Sequence, residues 1–466
     1  MKTFIRALIV AACTVLALAL PLSASAVPPD ARDATATYDY TRNMHPIGYS
    51  PFGNTPNLPG MTFTANSDLA FWGNLAYQGH YTGFRIIDIS APAKPREISF
   101  TECVGNQGDI VVYGDILVRS WNSPATGTGT SLLECDGEPV PLGWEGLHVF
   151  DISNPANPVL VGDVELSSRP EADSLGCGSH TATAVPDLEN NRLIVYNQTS
   201  GGPCPFIGIV IVPLDDPAGA MWLRNEPLGE GDFCHDSSVI LGDVMKLACA
   251  SHSHTNVYSV GGSGGGSLTD PVFLYTVSEP GVGTGELGSG NWHSSTFSFD
   301  GEVLILGWEP GGGSGPRCSA TGTVLPGGIV QTDTHKSYFF YNGDTGAKLG
   351  QLVLPRDQEI TENCTIHNYN VVPTSKGRVL VAGNYQAGIS VVDFTDPANA
   401  VEIAYADPEP LVPTQLGGDW STYWYNGFIY ESDITRGLIV WKLSDKAVAG
   451  AMKLPYLNPQ TSEFSL

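Results

Sequence analysis

"GFRIIDISAPAKP", Gly83 to Pro95, is an apolar, β-branched strand that stops at an aspartate and reverses through a proline-rich turn. The pattern returns as "GLHVFDISNPANP" (Gly146 to Pro158) and "GISVVDFTDPANA" (Gly388 to Ala400), with a looser copy in "VPLDDPAGA" (Val212 to Ala220). Proline presets φ, and an aspartate at the strand end accepts from its own following backbone, so every copy specifies the same exit. A repeated exit means a repeated unit, and periods of roughly 20–50 residues or a little more signal solenoids or propellers.

Working outward from each exit, a hairpin precedes it. "DLAFW" faces "NLAYQG", "DIVVYG" faces "DILVRSW", "SSVILG" faces "DVMKLACAS", "STFSFDG" faces "EVLILGW", and "STYWYNG" faces "FIYESD". Gly73-Asn74, Gly114-Asp115, Gly242-Asp243, Asp300-Gly301 and Asn426-Gly427 supply residues that tolerate positive φ at the turns. Two longer hairpins begin at His180 and His367. Seven units therefore start near residues 66, 107, 180, 235, 293, 367 and 419. The expectation is an all-β chain: a seven-bladed β-propeller of four-stranded antiparallel blades. A terminal strand must close such a circle; "NMHPIGYS" (Asn43 to Ser50) is the candidate to join the last blade, and "AMKLPYL" (Ala451 to Leu457) is its rival.

The strands "GFRIIDIS", "GLHVFDIS", "GISVVDF" and "GLIVWKL", with the D-x-S-x-P-x-x-P exit, resemble the LVIVD-repeat proteins, a group of exported bacterial β-propellers. The resemblance covers most of the chain after residue 26. It implies the fold and no particular reaction, because propellers carry many functions.

Lys2 and Arg6, the apolar run Ala7 to Leu20 and the segment Ala24-Ser25-Ala26 read as a secretory signal peptide cleaved near Ala26. The organisation expected is a signal over 1–26, an extension over 27–42 and the propeller over 43–466. Cleavage lowers the basic count from 22 to 20 against 48 acidic residues, a net charge of −28. That surface repels phosphate backbones and anionic lipid, which excludes nucleic acid as a partner class, and no later segment is long and apolar enough for membrane insertion. A secreted monomer binding an extracellular protein or small ligand is the expected class. Eight cysteines follow the signal: Cys103, Cys135, Cys177, Cys204, Cys234, Cys249, Cys318 and Cys364. An even count in an exported chain reads as four disulfides. Their spacing suggests sequential partners inside single repeats, with Cys234 opposite Cys249 across a hairpin.

Counting back seven residues from each regular hairpin turn reaches one address, occupied by Asn66, Gln107, His235, His293 and Asp419; His180 and His367 hold it in the longer hairpins. Inner strands border a propeller's channel, so these side chains should converge at one mouth. His180, His235, His293 and His367 are candidate ligands for one transition metal, Fe, Cu or Zn, because neutral imidazole suits all three. Asp419 and Asp236 are candidate supporting or fifth ligands, with Gln107 and Asn66 as hydrogen-bond partners. Four histidines about a propeller axis resemble the non-haem iron site of carotenoid-cleaving oxygenases; no other motif of that family is present and its activity does not carry over. Two other readings fit the same address: a metal-free ligand channel, and histidines that fasten neighbouring strands. A metal with an open position would make the protein a metal-dependent enzyme, an oxidoreductase among the options. "SHSH" (His252, His254) places two imidazoles on one strand face and reads as a polar loop.

Overall fold

A computed structural model of the chain describes residues 30–463 apart from 52–64, 123, 129–130, 167–176, 200–203, 229–231, 312, 314 and 411–415. The signal peptide and its cleavage point lie outside the described residues. The three aspartate exits are the ends of third strands, as the repeat implies. Asp88 Oδ1 accepts from Ser90 N at 2.9 Å, Asp151 Oδ1 from Ser153 N at 2.8 Å and Asp393 Oδ1 from Thr395 N at 3.0 Å. Each carboxylate thus caps the turn that carries the chain to the outer strand.

Among the described residues seven blades result, each with a core of antiparallel strands that are consecutive in the chain, apart from the strand that completes the last blade. Their inner strands are Asn66–Trp72, Ile110–Tyr113, Thr181–Asp187, Cys234–Ile240, Gly290–Phe297, Asn368–Val371 and Asp419–Tyr425, in blades 1 to 7. Each inner strand touches the next around the circle, and that of blade 7 touches that of blade 1. Alternation along a strand feeds two seams at once. In the third strand of blade 2, Phe150 packs toward Phe84 and Ile86 of blade 1, while Leu147 and Val149 pack toward Ala184 and Val195 of blade 3. Burial on both faces is why these strands read as nearly unbroken apolar runs.

Met44–Pro51 pairs antiparallel with Gly437–Leu443 and completes blade 7, which resolves the closure in favour of "NMHPIGYS". The extension also joins the ring: Asp39–Tyr40 adds a fifth strand to the outer edge of blade 6. The rival segment closes nothing at the rim. Its Tyr456–Leu457 pairs with the inner strand of blade 1, and Thr461–Ser462 pairs in parallel with the inner strand of blade 4. Between them Asn458 bonds both the N and the O of Val112 in blade 2, and Thr461 Oγ1 donates to the Ala184 carbonyl in blade 3. The C-terminal tail therefore crosses the channel near the hairpin turns and closes that end.

The disulfides join Cys103–Cys135, Cys177–Cys204, Cys234–Cys249 and Cys318–Cys364, the sequential pairing expected. Two of them depart from the single-repeat expectation, because Cys103 and Cys177 precede the blades that hold their partners and so bind loops across a blade boundary. Four disulfides fit an oxidising, extracellular environment. Among the described residues no helix is long and apolar enough to cross a membrane.

Candidate functional site in the central channel

The ring address is a backbone feature. In blade 4, Cys234 pairs with Ser251 and Asp236 with Ala250, leaving His235 as an extra residue in the strand; His293 and Trp420 occupy the same bulge in blades 5 and 7. A bulge re-aims side chains and here turns the extra residue into the channel. In blade 1 the interruption lies between Asn66 and Leu69, and Ser67 faces the cavity. The count back from the turns lands one residue early in blades 1 and 7. Their hairpins are tight, with Trp72 opposite Leu75 and Tyr425 opposite Phe428, whereas Ile240 opposes Lys246 in blade 4.

Asn66 and Asp419 consequently turn away from the ring. Asn66 Nδ2 donates to the carbonyls of Asp433 and Ile434, fastening blade 1 to blade 7. Asp419 accepts from Thr422 and lies against Glu431 and Asp433 inside blade 7, where burial and Glu431 drive its carboxyl well above the usual range. Gln107 and Asp236 do line the cavity.

The four histidines meet. Ring centroids are 4.5 Å apart for His180 and His235, 4.3 Å for His235 and His293, and 4.0 Å for His293 and His367. All four are buried, and burial lowers every one: His235 to about 4, His367 to about 3, and His180 and His293 well below the ordinary value, with neighbouring imidazoles adding to the effect in the latter two. The cluster is neutral at physiological pH, the state in which imidazole binds metal. Nδ1 of His235 meets the His293 carbonyl at 3.3 Å and the His293 ring faces the His367 backbone in the same way, while Nδ1 of His180 is buried without a partner.

Two residues outside the predicted set complete the site. Glu309 ends the second strand of blade 5, and a ligand atom from each of His235, His293 and Glu309 lies within 4.8 Å of the other two. Burial pushes the Glu309 carboxyl up to about 7. Tyr385 sits in the turn after Val379–Gly383 of blade 6 with φ at 48°, held by paired backbone bonds to Asp419. Its hydroxyl lies 2.9 Å from Glu309 Oε1 and 2.7 Å from His367 Nε2. His367 is occupied at both nitrogens, since its Nδ1 donates to the Trp420 carbonyl. A carbonyl only accepts, so the neutral ring carries its proton on Nδ1 and presents Nε2 as an acceptor to the tyrosine hydroxyl. The same hydroxyl donates to Glu309 Oε1, so the carboxylate and Nε2 compete for one tyrosine proton.

Beneath the ring lies a cavity of about 220 Å³, bounded by the histidines, Glu309, Asp109, Asp236 and Gln460. Asp68 accepts from Tyr423 Oη at 2.5 Å and from Gln460 Nε2 at 2.9 Å; Asp109 accepts from Ala182 N and Asp236 from Ser237 N. Burial, then the charge of Asp68, drives both Asp109 and Asp236 well above the usual carboxylate range.

Other candidates stand apart. His254 Nε2 lies 2.8 Å from Asp232 Oδ2, which raises its pKa, away from the ring. Cys103, Cys135 and His148 come together, but the sulfurs are bonded to each other. Of the tryptophans near strand ends, Trp420 lines the cavity, while Trp121, Trp292 and Trp308 fill seams between strands.

The repeated strands match the LVIVD repeat model over residues 65–101 and 140–165. The chain carries LVIVD repeats. The two matched LVIVD segments form all of blade 1 and the outer half of blade 2, so the ring histidines lie outside them. No curated protein matches the chain. Among solved structures, a Lactobacillus plantarum protein is 12% identical with a TM-score of 0.47, covering 74% of this chain and 84% of its own. BamB from Moraxella catarrhalis is 11% identical with a TM-score of 0.41, covering 86% and 97%. The computationally designed Ika8 protein is 10% identical with a TM-score of 0.44, covering 85% and 100%. No function passes from them to the LVIVD-repeat chain.

Proposed function

We propose that the protein is an exported metal-binding propeller. One divalent transition metal is held by His235, His293 and Glu309, with His180 beside them, and its open side faces the channel, where a small polar ligand enters. The observation that carries this reading is the convergence of two neutral, buried imidazoles and a buried carboxylate within 4.8 Å. Two histidines and one carboxylate form a set that Fe(II) and Zn(II) both accept with positions to spare. His367, tied at both nitrogens, acts on Glu309 through Tyr385 and stays out of the first set of ligands. The unpartnered Nδ1 of His180 supports the same reading, because a buried polar atom without a partner costs about 1–3 kcal/mol unless something binds there.

The cavity below the metal would make the site an enzyme if a coordinated water or substrate reacts there. Metal analysis by mass spectrometry of the untagged protein tests the binding. About one Fe or Zn per chain is expected in the parent, and none in a folded variant carrying His235→Ala and His293→Ala. A parent that takes up no metal after incubation with Fe(II), Cu(II) or Zn(II) sinks the proposal and leaves capture of an extracellular partner by the blade loops.

A further inference from the structure

The end of the propeller away from the histidines is divided by charge. The first and third strands of every blade stop there, so the aspartate exits and the hairpin turns lie on one face. Between blades 4 and 5 those turns enclose a cleft of about 440 Å³ lined by Asp243, Asp300, Glu302 and Asp344, all exposed. Two cations already serve it: the buried Lys246 meets Asp344 at 2.5 Å, and Arg378 meets Asp300 at 2.8 Å and also Glu302. Four carboxylates against two spent cations leave this cleft acidic.

The same face reverses sign at blades 6 and 7. A cleft of about 480 Å³ opens there between the turn at Asn426-Gly427 and the chain that leaves Gly437–Leu443. Lys442 and Lys453 line it. Lys376, from the blade 6 hairpin, reaches its rim, where a Cβ on Gly450 would stand 3.9 Å from Lys376 Nζ. Lys446 opens the short turn Lys446–Val448 between Lys442 and Lys453. All four lysines are exposed, and among the described residues none of their ammonium groups has an ion pair or hydrogen bond. Asp445 is the one acidic residue lining the cleft, and its oxygens are taken by Ala447 N and Asn43 Nδ2. In a chain with 48 acidic residues against 22 basic ones, four unspent ammonium groups in one place are a local excess of positive charge.

A face that carries one acidic and one basic cleft is complementary to itself. When two copies are set face to face about a two-fold axis that passes midway between the clefts, the lysines of each lie on the carboxylates of the other. Net repulsion between two acidic molecules is screened beyond about 8 Å at physiological salt, while charges in contact across an interface are screened much less. We propose that the protein is a face-to-face dimer, in place of the monomer expected from the sequence, in which Lys376, Lys442 and Lys453 of one protomer meet Asp243, Asp300 and Glu302 of its partner, twice over. Both histidine mouths then face outward and stay open, and the two C-terminal tails close against each other in the interface.

Sedimentation velocity of the full exported chain at about 20 mM and about 500 mM NaCl tests the proposal, because the higher salt screens contact charges that the lower salt leaves in force. A dimer is expected in low salt and a monomer in high salt. Lys442→Glu/Lys453→Glu and Asp243→Lys/Glu302→Lys should each weaken dimerisation at least about tenfold, because each sets like charge against like. Mixed in equal amounts, the two variants should associate with each other, since both contacts are again opposite in sign; that recovery also shows that both are folded. The His235→Ala/His293→Ala variant should dimerise as the parent does, so failure of the metal reading and failure of this one are separable. A parent that stays monomeric in low salt at about 100 µM chain overturns the assignment, since mass action favours any dimer there. So does a dimer indifferent to salt, a dimer kept by either charge variant, a mixture of the two folded variants that stays monomeric, or association that appears only when polyglutamate is supplied.

Discussion

The hydroxyl of Tyr385 lies 2.9 Å from Oε1 of Glu309, across a gap of 76 residues in sequence and one blade in space. Through the same hydroxyl Tyr385 reaches His367, so a residue that offers no metal ligand joins two sides of the ring. The charge and orientation of Glu309 therefore depend on a neighbouring blade.

Tyr385→Phe should leave the fold intact and weaken transition-metal binding by about 10–100-fold, the usual effect of losing a partner that orients a ligand. Competition with a chromophoric chelator measures it. An unchanged affinity would mean that Glu309 needs no support from blade 6.

Gly313→Ala reaches the same pair without deleting any hydrogen-bonding group. Gly313 has φ at 69°, and a Cβ there would stand 2.6 Å from both Glu309 Oε1 and the Tyr385 oxygen. The methyl must displace one of them, and the left-handed backbone adds strain of about 1 kcal/mol or more. Metal affinity should fall as in Tyr385→Phe, with a lower melting temperature as well; a variant that binds metal normally would show that the pair can yield.

Much of this was legible in the chain itself, and the remainder was hidden for identifiable reasons. The aspartate exits at Asp88, Asp151 and Asp393 announce the blade because local chemistry, the self-capping carboxylate, writes the turn. The convergence of His180, His235, His293 and His367 follows once the blades are counted. Glu309 and Tyr385 are invisible to that count because one ends a second strand and the other occupies a left-handed turn, so neither shares the inner-strand address. The pairing of Asn291 with Glu309, two residues from His293, is the signal that a register-level reading could have used. Asn66 and Asp419 were misplaced by one residue because bulge position depends on hairpin length, which turn residues alone do not fix.

His148 gives a pH dependence with a definite sign. It packs against Trp144 and Trp121 at 4.4 and 5.5 Å, and burial, aided by Arg119, lowers it to about 3. Its unfolded value is about 6.5, so between those values the unfolded chain binds a proton that the folded chain refuses. Stability is thus full above about 6.5 and is lost as pH falls toward 3, by up to about 1.4 kcal/mol per pH unit from this group. His148→Phe keeps the ring packing, and its denaturation curves should show a shallower loss through that window and no difference in slope above pH 7. Equal slopes in variant and parent would mean that the histidine is solvated in the native state.

Arg85 tests the closure. Its fully buried guanidinium bonds Gln78 Oε1, the Ser50 carbonyl and hydroxyl and the Pro51 carbonyl, and pairs with Glu97 at 3.2 Å, tying blade 1 to the strand that completes blade 7. Arg85→Ala strands those acceptors, and chemical denaturation should report a loss of about 3–5 kcal/mol. A loss under 1 kcal/mol would show that the strand pairing of Met44–Pro51 holds the ring without it.

The tail that crosses the channel also sets a schedule for assembly. A chain emerging N-terminus first delivers Met44–Pro51 long before Gly437–Leu443 exists to receive it, and Asn458 to Ser462 arrive after every blade they touch. The circle cannot shut until Gly437–Leu443 is in place, and its axis fills only when Asn458 to Ser462 follow. The early strand therefore waits unpaired until Gly437–Leu443 is made, and the tail that fills the axis is the last described segment to find its partners.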